Sequence, residues 1–249
     1  MTRAPRAVLL LMVALAACGG GGKRSTTTTT TRPAPATTAT SAATTGPKLQ
    51  APTATARKWL AAIAAGDDAA AIALTSQRSL DKVGGAAGFK KMDIALAEGW
   101  GGWGRAKTID VTTVGVQYPP TVTIVVLHGS IEQEGPARET WAALPIVATD
   151  AGDRVEPFVD YGPMTPKQAD GSTVAADQLF EVTVPNSVDA YVILDDHASE
   201  LVGVLSADQA GQHLSYSAPD RLGAGAHGLT VVLVGTDGVQ ARTFQYKVS

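Results

Sequence analysis

A stretch of thirty residues near the start of the chain, from Gly19 to Lys48, contains no bulky apolar side chain. A segment of this kind cannot bury enough apolar surface to offset the entropy lost on ordering. The sequence therefore predicts a disordered Thr/Pro/Ala-rich linker over residues 18–50. Any folded core must be built from the roughly 200 residues that follow, which is enough chain for one large domain or two small ones.

The segment before the linker has the composition of an export signal. Arg3 and Arg6 precede an apolar run from Ala7 to Ala17, and no acidic residue interrupts it. A basic start, an apolar stretch of about 11 residues and small residues at its end are typical of a secretory signal peptide, whereas a membrane-spanning helix needs about 20 residues. We therefore expect residues 1–17 to be a signal peptide that is removed.

The single cysteine of the chain, Cys18, follows this run directly in the sequence LAAC. This sequence resembles the lipobox of bacterial lipoproteins. The resemblance implies cleavage between Ala17 and Cys18 and a thioether link from the Cys18 thiol to diacylglycerol, so that the protein is lipid-anchored on the extracytoplasmic face of the cell membrane. Two acyl chains suffice for stable attachment. The alternative is an ordinary secretory signal with an incidental cysteine.

With Cys18 as the only cysteine, a disulfide and a thiol nucleophile are excluded from the rest of the chain. The formal net charge is -3, and the Lys and Arg residues are scattered along the sequence. A nucleic-acid-binding domain would cluster them on one face. We therefore expect no nucleic-acid partner.

The first folded segment, predicted over residues 51–165, begins with helices. An alanine-rich helix, TATARKWLAAIAA, ends at Gly66, and Asp67 or Asp68 caps a second one. A third helix is predicted from Ala86 to Glu98. After the Gly-rich break GWGGWG the periodicity changes to that of long strands, in KTIDVTTVGVQYP, TVTIVVLHGSIEQE and ETWAALPIVATD. Helices followed by consecutive long strands predict an α+β domain with its helices on one face of a sheet.

The helix–Gly-Asp–helix pattern followed by ALPIVATDAGDRVEPFV resembles the nuclear transport factor 2-like fold, especially its versions in exported actinobacterial proteins. The resemblance implies a cone-shaped α+β domain in which helices cover a curved antiparallel sheet and enclose a space for a small apolar ligand. The alternative is that large side chains fill the cone. The candidate pocket-lining residues are Trp59, Phe89, Met92, Trp103 and Trp141.

Enzymes of this fold place an acidic or histidine base inside the apolar cone. The candidates here are Asp93, Asp110 and His128, and none of them has a paired acid in the sequence pattern. We therefore predict no catalytic residue in the cone.

The second folded segment, predicted over residues 172–249, contains short strand candidates at intervals of about 8–14 residues, which is typical of a β-sandwich. Its last part, YSAPDRLGAGAHGLTVVLVGTDGVQARTFQYKV, resembles the C-terminal half of bacterial immunoglobulin-like domains. The resemblance implies an all-β immunoglobulin-like sandwich. His227 is interpreted as a structural or surface histidine.

Other chemistry is not supported by the spacing of the residues. Ser79 and Lys82 fit the Ser-x-x-Lys pattern of penicillin-interacting enzymes, but the Lys-Thr-Gly strand that completes such a site does not occur. The four histidines lack zinc-ligand spacing, and no phosphate loop or dinucleotide glycine pattern is present. Asp195, Asp196 and His197 could bind a cation weakly, although solvated turn residues explain them as well. We predict no metal site and no cofactor.

Together these features predict an actinobacterial-type envelope lipoprotein that binds or scaffolds rather than catalyses. Its expected partners are the membrane, through the lipid anchor at Cys18, and cell-wall polymer or envelope proteins. Two alternatives remain open. One is a cone pocket that binds or transforms a small molecule, and the other is a purely structural spacer.

Overall fold

The structure is a computed structural model that describes residues 52–116, 122–132, 136–186, 188–198, 204–218 and 220–249. The predicted signal peptide, the cleavage site at Ala17 and Cys18, and the linker over residues 18–50 lie outside the described residues.

The described part of the chain begins with five helices: α1 (Pro52–Ala65), α2 (Asp68–Leu74), α3 (Gln77–Lys82), α4 (Gly85–Lys91) and α5 (Asp93–Arg105). As predicted, α1 ends at Gly66, whose φ of +67° suits a residue without a Cβ. Asp67 caps α2, because its carboxylate accepts the Ala70 N–H at 3.0 Å. Within the described ranges, no helix is both long and apolar enough to cross a bilayer.

The prediction of one helix from Ala86 to Glu98 is wrong. The chain breaks at Met92 into α4 and α5, and α5 continues through GWGGWG to Arg105. Glycine disfavours a helix by about 1 kcal/mol relative to alanine, but here it allows close packing. A Cβ at Gly104 would lie 2.1 Å from the Leu60 carbonyl oxygen of α1. The close approach of α1 and α5 therefore depends on this glycine.

Four antiparallel strands follow and form sheet A, in the order β1 (Asp110–Val116), β2 (Val122–Ile131), β3 (Arg138–Thr149) and β4 (Gly152–Val155). One face of sheet A packs against the helices, through Val125 and Leu127 of β2 and Leu144 of β3. The predicted α+β module with its helices on one face of a sheet is thus confirmed.

The remaining strands form two further sheets. They are β5 (Thr165–Pro166), β6 (Thr173–Val174), β7 (Leu179–Val184), β8 (Asp189–Leu194), β9 (His197–Ala198), β10 (Val204–Ala207), β11 (Gln212–Ser217), β12 (Gly225–Gly235) and β13 (Gly238–Val248). Sheet B has the strand order β10-β11-β7-β5, and sheet C has the order β6-β13-β12-β8-β9. Their facing side chains, such as Phe180, Leu214 and Leu233, form a second core, so this part is a β-sandwich as predicted.

A third core joins the two modules. Strand β2 alternates, so that Ile124 and Val126 point away from the helices and pack against Ile193 and Val232 of sheet C. Sheet C is consequently covered on both faces, by sheet B and by sheet A. The fold from α1 to β13 is one compact unit with four layers in the order helices, sheet A, sheet C and sheet B.

Candidate functional site

Four of the five predicted pocket residues lie together between the helices and sheet A. Trp59, Phe89 and Trp103 are buried there, and Met92 is partly buried against the same core. The Trp59 Nε1 atom donates to Thr75 Oγ1 at 3.0 Å, and Phe89 packs edge-to-face on Phe158. These side chains occupy the interior that the resemblance assigns to a ligand.

The fifth predicted residue, Trp141, lies on the opposite face of sheet A, at the junction with sheet C. Its indole Nε1 donates to the Ala226 carbonyl oxygen at 3.3 Å. A Cβ at Gly228 would lie 2.4 Å from the Trp141 Cβ. The backbone of β12 can therefore lie against Trp141 only because residue 228 is a glycine.

Gln245 of β13 connects the two modules by two hydrogen bonds to the backbone of Trp141. Strand β4 pairs with residues 146–149 of β3 and does not reach Trp141. In its place the Gln245 side chain accepts the Trp141 N–H at 3.0 Å and donates to the Trp141 carbonyl oxygen at 2.7 Å. This amide satisfies both backbone groups of Trp141, which would otherwise need another partner.

A polar recess opens beside this contact. The His128 ring stacks on the Trp141 indole, with centroids 4.0 Å apart and an interplanar angle of 16°. Its Nε2 lies 2.9 Å from Glu139 Oε1, and its Nδ1 lies 3.7 Å from Asp110 Oδ2. We call this space of about 380 Å³ the junction recess; its lining includes Asp110, Thr112, Val126, His128, Trp141 and Asp196.

The junction recess unites residues that the sequence treats separately. Asp110 and His128 are direct cross-strand neighbours in β1 and β2, and Asp196 joins them from the turn after β8. The first two lie on the face of sheet A that points away from the helices, so neither lies in the helix-covered core. Asp93 begins α5 and lines a different recess.

The chemistry of the junction recess favours binding over nucleophilic catalysis. Both ring nitrogens of His128 face carboxylates, not a hydroxyl that the ring could activate. Among the described residues, no group of three or more metal-binding side chains is arranged to hold a metal ion. The carboxylates can accept hydrogen bonds from a cationic or proton-donating group.

The Ser-x-x-Lys pattern does not form a site in the structure. Ser79 is fully buried, and its hydroxyl accepts the Phe158 N–H at 3.3 Å. Lys82 reaches the surface and pairs with Asp237 at 3.4 Å. The serine hydroxyl is therefore committed to the backbone and inaccessible to a substrate.

His227 has a structural role beside the junction recess. Its Nδ1 lies 2.8 Å from Asp195 Oδ2, and its Nε2 lies 2.8 Å from the Gly223 carbonyl oxygen. The other carboxylate oxygen of Asp195 accepts the Gly228 N–H at 2.9 Å. Because both acceptors lack a hydrogen, the doubly protonated ring satisfies both contacts.

These contacts predict a pH-dependent stability. Burial lowers the pKa of His227, but the hydrogen bonds to Asp195 and Gly223 and the charges of Asp195 and Glu139 outweigh it, so that the pKa is raised overall. A raised histidine pKa stabilises the fold below the unfolded value of about 6.5, and this contribution is lost as the pH rises through the folded-state pKa.

We expect urea unfolding between about pH 6 and about pH 9 to show stability falling with pH more steeply in the wild type than in the His227→Gln variant. The difference between the two proteins isolates His227 from other titrating groups. Parallel pH profiles would contradict the prediction.

Glu156, like Gln245, is a residue that the sequence analysis does not single out. It lies in the connection after β4 and is buried. Its Oε2 accepts the Val239 N–H of β13 at 2.8 Å, and its Oε1 accepts from the Ser76 hydroxyl at 3.2 Å. Burial raises the pKa of Glu156, while the Val239 hydrogen bond and the nearby Arg78 partly oppose the shift. One carboxylate thus connects the helical layer with the sandwich.

Comparison with known proteins adds no argument about function. No protein-family model and no curated protein matches this chain. Among solved structures, the chain is similar to the endo-β-1,4-mannanase from Thermotoga petrophila, with 17% identity and a TM-score of 0.30 over 36% of this chain and 20% of that chain. A likeness at this TM-score supports neither a fold assignment nor an activity.

Proposed function

We propose that this chain is a lipid-anchored envelope protein that presents a rigid binding or scaffolding body outside the cytoplasmic membrane. The observation that carries the proposal is the use of both faces of sheet A for packing. Trp59, Phe89 and Trp103 fill the helix-covered face, and Ile124 and Val126 pack on the sandwich. The polar side chains of the junction recess then lie at the surface, and this position suits recognition of a partner.

The strand order supports an immunoglobulin-like sandwich as the outer module. The immunoglobulin fold places strands ABED in one sheet and CFG in the other. Here β5-β7-β11-β10 follow one another across sheet B, and β8-β12-β13 are neighbours in sheet C. The short strand β6 pairs in parallel with β13. We infer that the helical module is the nuclear transport factor 2-like unit of the pair, with a filled cone.

The test of this proposal is the chemical state of the N-terminus in a bacterial host. We expect mass spectrometry to find the chain beginning at Cys18 with a diacylglyceryl group, and fractionation to place it with the membrane. The Cys18→Ala variant is expected in the soluble extracytoplasmic fraction or as the uncleaved precursor. Wild-type protein that is released unmodified would contradict the proposal.

A further inference from the structure

The charges of this protein are divided unequally along the chain and between its layers. No Asp or Glu precedes Asp67, whereas eight Lys and Arg residues do. Residues 52–109, which form the helical layer, carry eight basic and five acidic side chains, a net charge of +3. Residues 110–249, which form the three sheets, carry six basic and eighteen acidic side chains, a net charge of -12. The helical layer is thus the basic pole of an acidic protein.

Cations are exposed at several points of this layer. Helix α1 has no acidic residue, and Arg57 and Lys58 lie on its exposed side. The Arg57 guanidinium donates to the carbonyl oxygen of Ile109 at 3.4 Å. Ile109 follows Lys107 by two residues in the sequence. Lys90 and Lys91 are exposed at the end of α4.

The helical layer also carries an exposed apolar side chain, Ile94. Ile94 on α5 is 74% exposed, against 44% for Leu179, the other large apolar side chain exposed in the described part of the chain. Ile94 lines a recess of about 980 Å³ together with Arg105 and Lys107. The recess also contains carboxylates, from Asp93, Glu98 and Glu132. We call the exposed side chains of Arg57, Lys58, Lys90, Lys91, Ile94, Arg105 and Lys107 the helical face. In the recess itself three carboxylates face two cations. The excess of positive charge belongs to the helical layer as a whole, where eight Lys and Arg residues outnumber five Asp and Glu residues.

Local stability explains only part of this arrangement. Lys90 and Lys91 complement the carboxyl end of α4, as cations at helix ends commonly do. That role does not require an exposed isoleucine three residues beyond Lys91. Cations around an exposed aliphatic side chain are suited to the boundary between lipid headgroups and acyl chains.

We propose that the helical face binds an anionic lipid surface, so that the body lies with its helices toward the membrane and its sandwich outward. The proposal rests on the proposed function only for its location beside a membrane. Packed sheets lie about 10 Å apart, and the Debye length is about 8 Å at physiological salt. The acids of sheet B are at least two such spacings from the helical face, so their repulsion from the membrane is screened.

The experiment uses the chain from residue 18 onward with Cys18→Ser, so that no lipid anchor contributes. Sedimentation with vesicles of phosphatidylcholine alone, or mixed equally with phosphatidylglycerol, measures binding. We expect binding to the mixed vesicles only, weakening as salt is raised. Each Lys or Arg at an anionic surface is worth about fivefold in affinity. Lys91→Glu combined with Lys107→Glu is therefore expected to weaken binding by at least tenfold.

The matched control is Arg221→Glu combined with Lys167→Glu, which makes the same change in net charge at exposed positions of the sandwich. It is expected to change binding by less than about twofold, because screening limits charges far from the lipid. The Ile94→Trp variant should show tryptophan fluorescence that shifts to shorter wavelength when the mixed vesicles are added. Equal losses of vesicle binding in both double variants would overturn the proposal. So would undiminished binding by the Lys91→Glu/Lys107→Glu variant, if that binding depends on Lys23 and Arg24. Lipidation of Cys18 is scored separately, so the two proposals can fail independently.

Discussion

Trp59→Ala is expected to lower the free energy of unfolding by about 4 kcal/mol, within the range for large-to-small changes at fully buried aromatic positions. Trp59 is completely buried between α1 and sheet A. Its removal leaves a cavity and also deprives Thr75 of the Nε1 hydrogen bond. Urea unfolding followed by far-ultraviolet circular dichroism measures the effect.

Two variants calibrate this result. Trp59→Phe keeps an aromatic ring and is expected to lose about half as much stability, while Ile94→Ala removes an exposed side chain and should change it by less than about 0.5 kcal/mol. A loss below about 1 kcal/mol for Trp59→Ala would mean that the site tolerates a void. It would then favour the alternative in which the cone holds a small molecule.

Glu156→Ala is expected to lower the free energy of unfolding by about 3 kcal/mol, because buried donors left without acceptors cost about 1–3 kcal/mol each. The alanine leaves the Val239 N–H and the Ser76 hydroxyl without their carboxylate partner. Glu156→Gln retains an acceptor for Val239 and a group that can donate to Ser76. We therefore expect it to cost less than about 1 kcal/mol at neutral pH.

The pH profile tests the same contacts. Burial raises the pKa of Glu156, so the folded state binds its proton at a higher pH than the unfolded state. The free-energy cost of burying the ionised Glu156 carboxylate is therefore largest at neutral pH, and it is removed as the pH falls through the folded-state pKa. The wild type should gain stability relative to Glu156→Gln over that range. Equal free energies of unfolding for the alanine and glutamine variants at neutral pH would show that these hydrogen bonds do not stabilise the contact between the helical layer and the sandwich.

Much of the fold could be predicted from local patterns. Gly66 and Asp67 end one helix and begin the next by their own backbone and side-chain chemistry. The sandwich strands alternate with a period of two, and Leu229, Val231 and Leu233 of β12 point into its core. The segment GWGGWG shows the limit of this approach. By propensity its glycines predict a break, yet the segment is helical, and Gly104 lets α5 pack closely on α1.

The candidate site was less predictable. Asp110 and His128 appear in the sequence as separate candidate bases, and Asp196 appears as part of a turn with Asp195 and His197. Pairing of β1 with β2 brings the first two together. Trp141 was expected inside the cone because the resemblance to the nuclear transport factor 2-like fold implied that it lines the pocket. The packing of sheet C on sheet A makes the other face buried as well.

The sequence alone determined the order of the elements, the helical and strand periods and the division of charge between the two ends of the chain, because these depend on neighbouring residues. Only the tertiary structure decided which strand faces are covered, that large side chains fill the space between the helices and sheet A, and that Glu156, Gln245 and His227 stabilise a junction. Such contacts join residues about 30 to 100 positions apart, and their side chains meet only after distant strands have packed. Local sequence patterns therefore do not predict these contacts.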